Sequence, residues 1–99
     1  MILSNEPGYY RPGAFGIRIE NLVVVEPAPA LDGGDAHRQM LQFRTLTWCP
    51  IDRTLIDPNL LNTGERDWLN SYHATCRQML GPRVAKDTQI WLDHATAPL

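Results

Sequence analysis

The chain has no long hydrophobic run. Nothing in it approaches the roughly 18 apolar residues of a membrane span, and the N-terminus has neither the charged nor the apolar segment of a secretory leader. No membrane partner is expected, and the expected location is the cytoplasm. Clusters of positive charge are also missing. Nine Lys and Arg stand against 11 Asp and Glu, for a net charge of -2; phosphate recognition needs a basic field, so nucleic acid is not an expected partner. Cysteine is scarce. Cys49 and Cys76 fit no metal-binding spacing and make a poor disulfide framework, which leaves two reduced thiols, expected to be mostly buried as free cysteines usually are. No internal repeat, glycine-rich phosphate loop, Ser-His-Asp set or heptad run is found, so solenoid, nucleotide-binding, serine-hydrolase and coiled-coil classes have no support.

What is present fits one small domain. Ninety-nine residues allow a modest core that buries roughly two-thirds of the unfolded surface. A hydrophobic content of 43% and a charged content of 20% are ordinary for a folded soluble chain. The pattern divides within residues 1–99: residues 1–48 are strand-rich and residues 49–99 mainly helical, an α+β class with antiparallel strands followed by two C-terminal helices.

Met1 to Val25, MILSNEPGYYRPGAFGIRIENLVVV, carries the chemistry. The apolar run Met1 to Asn5 reads as a strand stopped by Pro7-Gly8, a turn signal, with Glu6 as its last residue. Gly16 to Val25 is rich in Ile and Val, as a strand should be. Side chains alternate along it, so Arg18 and Glu20 share one face while Ile17, Ile19 and Asn21 take the other. Between the runs, Pro7, Gly8, Pro12 and Gly13 suit a wide, stiff loop that returns the chain antiparallel and lets Glu6 face Glu20. Two carboxylates close together repel, and one takes a proton unless a cation neutralises both. Their oxygens are hard donors suited to Mg, Mn, Zn or Co, yet two of them do not close a coordination shell. The competing reading is that Glu6 and Glu20 pair with Arg11 and Arg18 at the surface.

Further along, EPAPALDGGDAHRQ after Val25 reads as a surface loop that holds His37 in solvent. Met40 to Trp48 alternates as a third strand, ended by Pro50. Asp52-Arg53 and Asp57-Pro58 are turn signals, the second able to open a short helical turn. Asn62 or Thr63 caps the main helix, with Glu65 three residues after Asn62 in capping-box spacing. Leu69, Tyr72, His73, Cys76, Met79 and Leu80 form its apolar face, which ends at Gly81-Pro82. A last helix from about Val84 to Thr96 offers Trp91, Leu92 and Ala95 for packing. His73 reads as a core or boundary histidine, and none of His37, His73 and His94 is placed as a ligand.

NEPGYY, then GAFGIRIEN, then FRTLTWCPIDRTLID over Phe43 to Asp57 and the closing ATAPL, agree in order with the last third of one catalytic domain. The chain resembles aminopeptidase P, the Xaa-Pro aminopeptidases of the pita-bread (creatinase/aminopeptidase) metallopeptidase fold. The resemblance implies a partial pita-bread fold and a parent that removes an N-terminal residue preceding proline. It also implies a dinuclear centre of two divalent ions, usually Mn, held in the family by two Asp, one His and two Glu. Glu6 then corresponds to the glutamate of the EPG motif and serves as ligand and proton handler. Glu20 corresponds to the bridging ligand, Arg18 to an arginine beside the site, and Tyr10 more loosely to a tyrosine found there in some members. The aspartates and the histidine of the family lie upstream of EPG, so three of five ligands are absent from these residues. The chain is expected to be a C-terminal fragment, inactive alone, and to self-associate through exposed strand edges and apolar surface. A non-catalytic pita-bread-like module for protein binding or dimerisation is the alternative.

Overall fold

A long antiparallel hairpin organises the N-terminal residues of the computed structural model, which describes residues 1–99. Strand β1 (Ile2–Asn5) pairs with β4 (Asn21–Pro27), and β2 (Gly8–Arg11) pairs with β3 (Phe15–Arg18). The two ladders keep one register. Carrying the Asn5 to Asn21 pairing forward by one residue sets Glu6 opposite Glu20. One more sets Pro7 opposite Ile19, whose N–H donates to the Pro7 carbonyl at 3.1 Å, and the next rung is Gly8 with Arg18. The ladder is interrupted only because proline has no N–H to return to Ile19.

Pro7-Gly8 is therefore not the turn that the sequence predicts, and the wide loop expected between Glu6 and Gly16 is a tight hairpin. The chain reverses at Pro12-Gly13, where the Ala14 N–H donates to the Arg11 carbonyl at 3.0 Å. Gly13 has φ +73°. Proline followed by a left-handed glycine is the sequence that a type II turn requires.

Strand β5 (Leu41–Thr45) pairs with the free side of β4, giving the antiparallel order β1-β4-β5. It is shorter than the strand expected over Met40 to Trp48. Past it, the Leu46 N–H donates to the Leu22 carbonyl at 2.8 Å and the Thr47 hydroxyl accepts from the Leu22 N–H at 2.9 Å. Strand β4 runs to Pro27, into what reads as loop. Alternation gives this sheet two unlike faces. One presents Ser4, Glu6, Tyr10, Arg18 and Glu20; Glu26 lies further along it, taking hydrogen bonds from Arg44 at 2.8 Å and Gln42 at 3.1 Å. The other presents Leu3, Tyr9, Phe15, Ile17, Ile19 and Phe43, and stays exposed, Tyr9 at 62% and Phe43 at 66%.

The chain divides into two compact units, Met1–Thr47 and Trp48–Leu99. The second is built on helix α1 (Thr63–Leu80) and the shorter α2 (Lys86–Ala95). Asn62 caps α1 by accepting from the Glu65 N–H at 2.8 Å while the Glu65 carboxylate accepts from the Asn62 N–H at 3.0 Å, the reciprocal box. Asp57 caps the 3-10 turn Pro58–Leu60, and Asp52 caps another at Arg53–Leu55.

The core of this unit comprises Leu69, Tyr72, His73, Cys76, Leu92 and Thr96. Met79 and Trp91, expected to pack, are exposed, and α2 is shorter than the span Val84 to Thr96. Two neighbouring α1 side chains grip the segment before the first 3-10 turn. The Tyr72 hydroxyl donates to the Cys49 carbonyl at 2.7 Å, and the His73 Nε2 accepts from the Ile51 N–H at 3.0 Å. The Tyr72 ring stacks with both Trp48 and Trp68, its centroid 5.4 Å from each. Arg53 donates to the His94 and Ala97 carbonyls at 3.0 and 2.9 Å, satisfying acceptors that the end of α2 leaves open. Cys76 is buried as expected, and burial pushes its thiol pKa up. Cys49 is exposed, against expectation, because the segment binds through its backbone and leaves the side chain outside.

Candidate metal centre

Rungs of an antiparallel ladder alternate between hydrogen-bonded pairs and closer, non-hydrogen-bonded pairs. Val25 N–H donates to Met1 at 2.9 Å and Ile19 N–H to Pro7 at 3.1 Å, which places the bonded rungs at odd-numbered residues. Glu6 and Glu20 therefore face each other on a non-bonded rung, where opposing Cα atoms lie about 4.5 Å apart and side chains come closest. Like charges directly opposite destabilise a sheet. Nothing local in the two strands calls for such a pair.

The two carboxylates are held differently. Glu20 Oε1 accepts from the Ser4 hydroxyl at 2.8 Å. Glu20 Oε2 stands 3.5 Å from Arg18 Nε, with the two side chains 41% and 52% exposed. Glu6 has neither an ion pair nor a hydrogen bond from its side chain. It does not pair with Arg11, which alternation puts on the opposite face of the hairpin. The surface-pairing alternative thus accounts for Glu20 and leaves Glu6 unexplained.

Tyr10 covers the neighbouring rungs of the same face. A Cβ on Gly8 would come within 2.7 Å of the Tyr10 hydroxyl, and one on Gly16 within 2.9 Å of its ring. The ring lies flat over both glycines because neither has a side chain, and this brings its hydroxyl back over Gly8, two rungs from Glu20 on the same face.

No group of three or more His, Cys, Asp and Glu side chains gathers to hold a metal. What is present is a pair of hard oxygen donors with one guanidinium beside it. That set fits a small divalent ion and supplies part of its shell. Ser4 was not singled out by sequence reasoning. Its signal is parity, since it lies two residues before Glu6 and so on the same face of the strand.

The C-terminal region of peptidase M24 matches residues 39–99. Over its whole length the chain is 44% identical to Aminopeptidase P1 of Lotus japonicus and 48% identical to Aminopeptidase P2 of Arabidopsis thaliana, spanning 15% and 14% of those proteins. The X-prolyl aminopeptidase of Caenorhabditis elegans, described as a cytosolic enzyme with a di-nuclear active site, is similar in structure with a TM-score of 0.82 at 34% identity. That likeness covers 99% of this chain and 16% of the other. The antiparallel strands followed by two helices are an α+β arrangement matching part of that enzyme. No helix is long and apolar enough to cross a membrane. The chain belongs to the M24 peptidase family, whose C-terminal region it carries.

Proposed function

We propose that these residues form the C-terminal part of a dinuclear-metal Xaa-Pro aminopeptidase, which hydrolyses the bond between an N-terminal residue and a following proline. The observation that carries this reading is the Glu6 to Glu20 rung, two carboxylates opposed at the closest spacing that a sheet offers, with a single cation beside them. In the intact protein Glu6 and Glu20 would hold two divalent ions, with Mn as the proposed metal, and the remaining ligands would come from outside these residues. The chemistry that such ions would supply there is Lewis-acid polarisation and activation of water near neutral pH.

The chain's own residues do the rest. Glu20, held on Oε1 by the Ser4 hydroxyl and with the Arg18 charge near Oε2, presents its remaining lone pairs to the site. Glu6, whose carboxylate forms no ion pair or hydrogen bond within these residues, is the proposed proton handler beside the same site. Arg18 offsets negative charge that two carboxylates would otherwise leave uncompensated. The substrate class is a peptide with proline in second position. The cytoplasmic location described for the nematode enzyme and a homo-oligomeric assembly complete the proposal.

The test is Glu20→Gln in the full-length polypeptide that contains this chain. Metal analysis should find the two-ion stoichiometry lost, and hydrolysis of an Xaa-Pro peptide should fall by several orders of magnitude. Unchanged metal content with full activity would end the assignment.

A further inference from the structure

Two groups touch the Glu20 carboxylate, and their distances separate their roles. Arg18 Nε is 3.5 Å from Oε2, beyond the 2.7–3.2 Å range of a directional N–H···O bond. It acts as a nearby charge, half exposed and screened by solvent. Ser4 Oγ is 2.8 Å from Oε1, the ordinary length of an O–H···O bond. A carboxylate only accepts, so the hydroxyl is the donor.

Serine has one side-chain torsion, so fixing it sacrifices little rotamer freedom, whereas an exposed glutamate has three torsions to settle. The register explains why position 4 can do this. Ser4 pairs with Leu22, one rung along the same face from Glu20, so its hydroxyl meets that carboxylate diagonally across the strands. Each carboxylate oxygen has two lone-pair sites. The bond from Ser4 occupies one on Oε1 and leaves the other available for an ion.

We infer that Ser4 is the positioning residue of the metal centre: its hydroxyl fixes the orientation in which Glu20 presents its carboxylate to the two ions, while Arg18 supplies charge compensation without direction. This rests on the proposed function above, in which Glu20 is a ligand. Partners that hold a ligating side chain are typically worth 10–100-fold in metal affinity or activity.

The experiment compares Ser4→Ala, Ser4→Thr and Glu20→Gln in the full-length polypeptide, titrated with Mn2+ alone by calorimetry and followed by electron paramagnetic resonance for coupling between the two ions. Ser4→Ala should weaken Mn2+ binding by about 10–100-fold, reduce the coupling signal and lower kcat with little change in KM. Ser4→Thr, which restores the hydroxyl, should recover all three. Wild-type affinity and coupling in Ser4→Ala, alongside metal loss in Glu20→Gln, would overturn the role of Ser4 and leave the metal centre standing. Equal weakening in Ser4→Ala and Ser4→Thr would overturn it too, because the hydroxyl would not be the active feature. Retention of both ions in Glu20→Gln would instead remove the functional reading, and Ser4 with it.

Discussion

His73 shows how one buried side chain couples the second unit to pH. Its Nε2 accepts from Ile51, so the ring proton sits on Nδ1, which is buried and meets no acceptor. Burial, reinforced by the Arg53 charge, lowers its pKa from the ordinary histidine value. A protonated ring would also lose the lone pair that Ile51 donates to. The unfolded chain therefore binds a proton more readily than the folded one, and stability falls as pH drops. The loss begins near the unfolded value of about 6.5 and continues until the lower folded value is passed. Denaturant unfolding measured between pH 7.5 and 5 should show this decline. In His73→Gln, which keeps an acceptor and cannot titrate, that part of the slope should be absent. At this scale the sequence is informative where spacing fixes the environment: His73 stands on the same α1 stripe as Leu69 and Cys76, and the burial follows. Ser4 escapes such reading because its partner lies 16 residues away and only the register brings them together.

Among the elements, α1 is the one best specified locally. Asn62 and Glu65 are three residues apart, and both bonds of their box form within one turn of chain, so no distant contact is needed to place the helix start. Replacing Asn62 with Ala removes the acceptor for the Glu65 N–H and should cost about 1 kcal/mol, within a range of roughly 0.5–2. Chemical unfolding of the variant checks this, with an unchanged m-value marking a pure stability effect. The hairpin is the opposite case. Pro7-Gly8 has the local signature of a turn, yet the chain passes straight through it, because the pairing on either side holds Pro7 opposite Ile19. Pairing between distant residues overrides a dipeptide preference, and nothing in the dipeptide announces it. Pro12-Gly13 carries the same signature and does turn, since there the residues on either side must meet. The short β5 has a similar origin: Leu46 and Thr47 continue the alternating pattern but are held by two bonds to Leu22 rather than by a ladder.

Across the whole molecule, the sheet displays its apolar face. Leu3, Tyr9, Phe15, Ile17, Ile19 and Phe43 form a band of large side chains on one side of the strands, all of them substantially exposed. An exposed apolar patch of this kind favours association, and β1 and β5, the outer strands of the three-stranded sheet, carry unpaired backbone groups along their open sides. The 99-residue chain on its own should sediment with a concentration-dependent mass above that of a monomer. Replacing Phe43 and Tyr9 with Lys and Thr should shift it towards the monomer without disturbing the glutamate face, which points the other way. Purely monomeric behaviour of the original chain at high concentration would contradict this. The same two-faced character explains why the fold class was readable from the sequence while the packing was not. Alternation reports which residues share a face, but it does not say whether anything covers that face.

The rung beside the glutamates is held by one hydrogen bond where its neighbours can have two, since the Ile19 carbonyl receives nothing from a proline nitrogen. One cross-strand bond fewer than an unbroken ladder would supply therefore stands next to the two carboxylates.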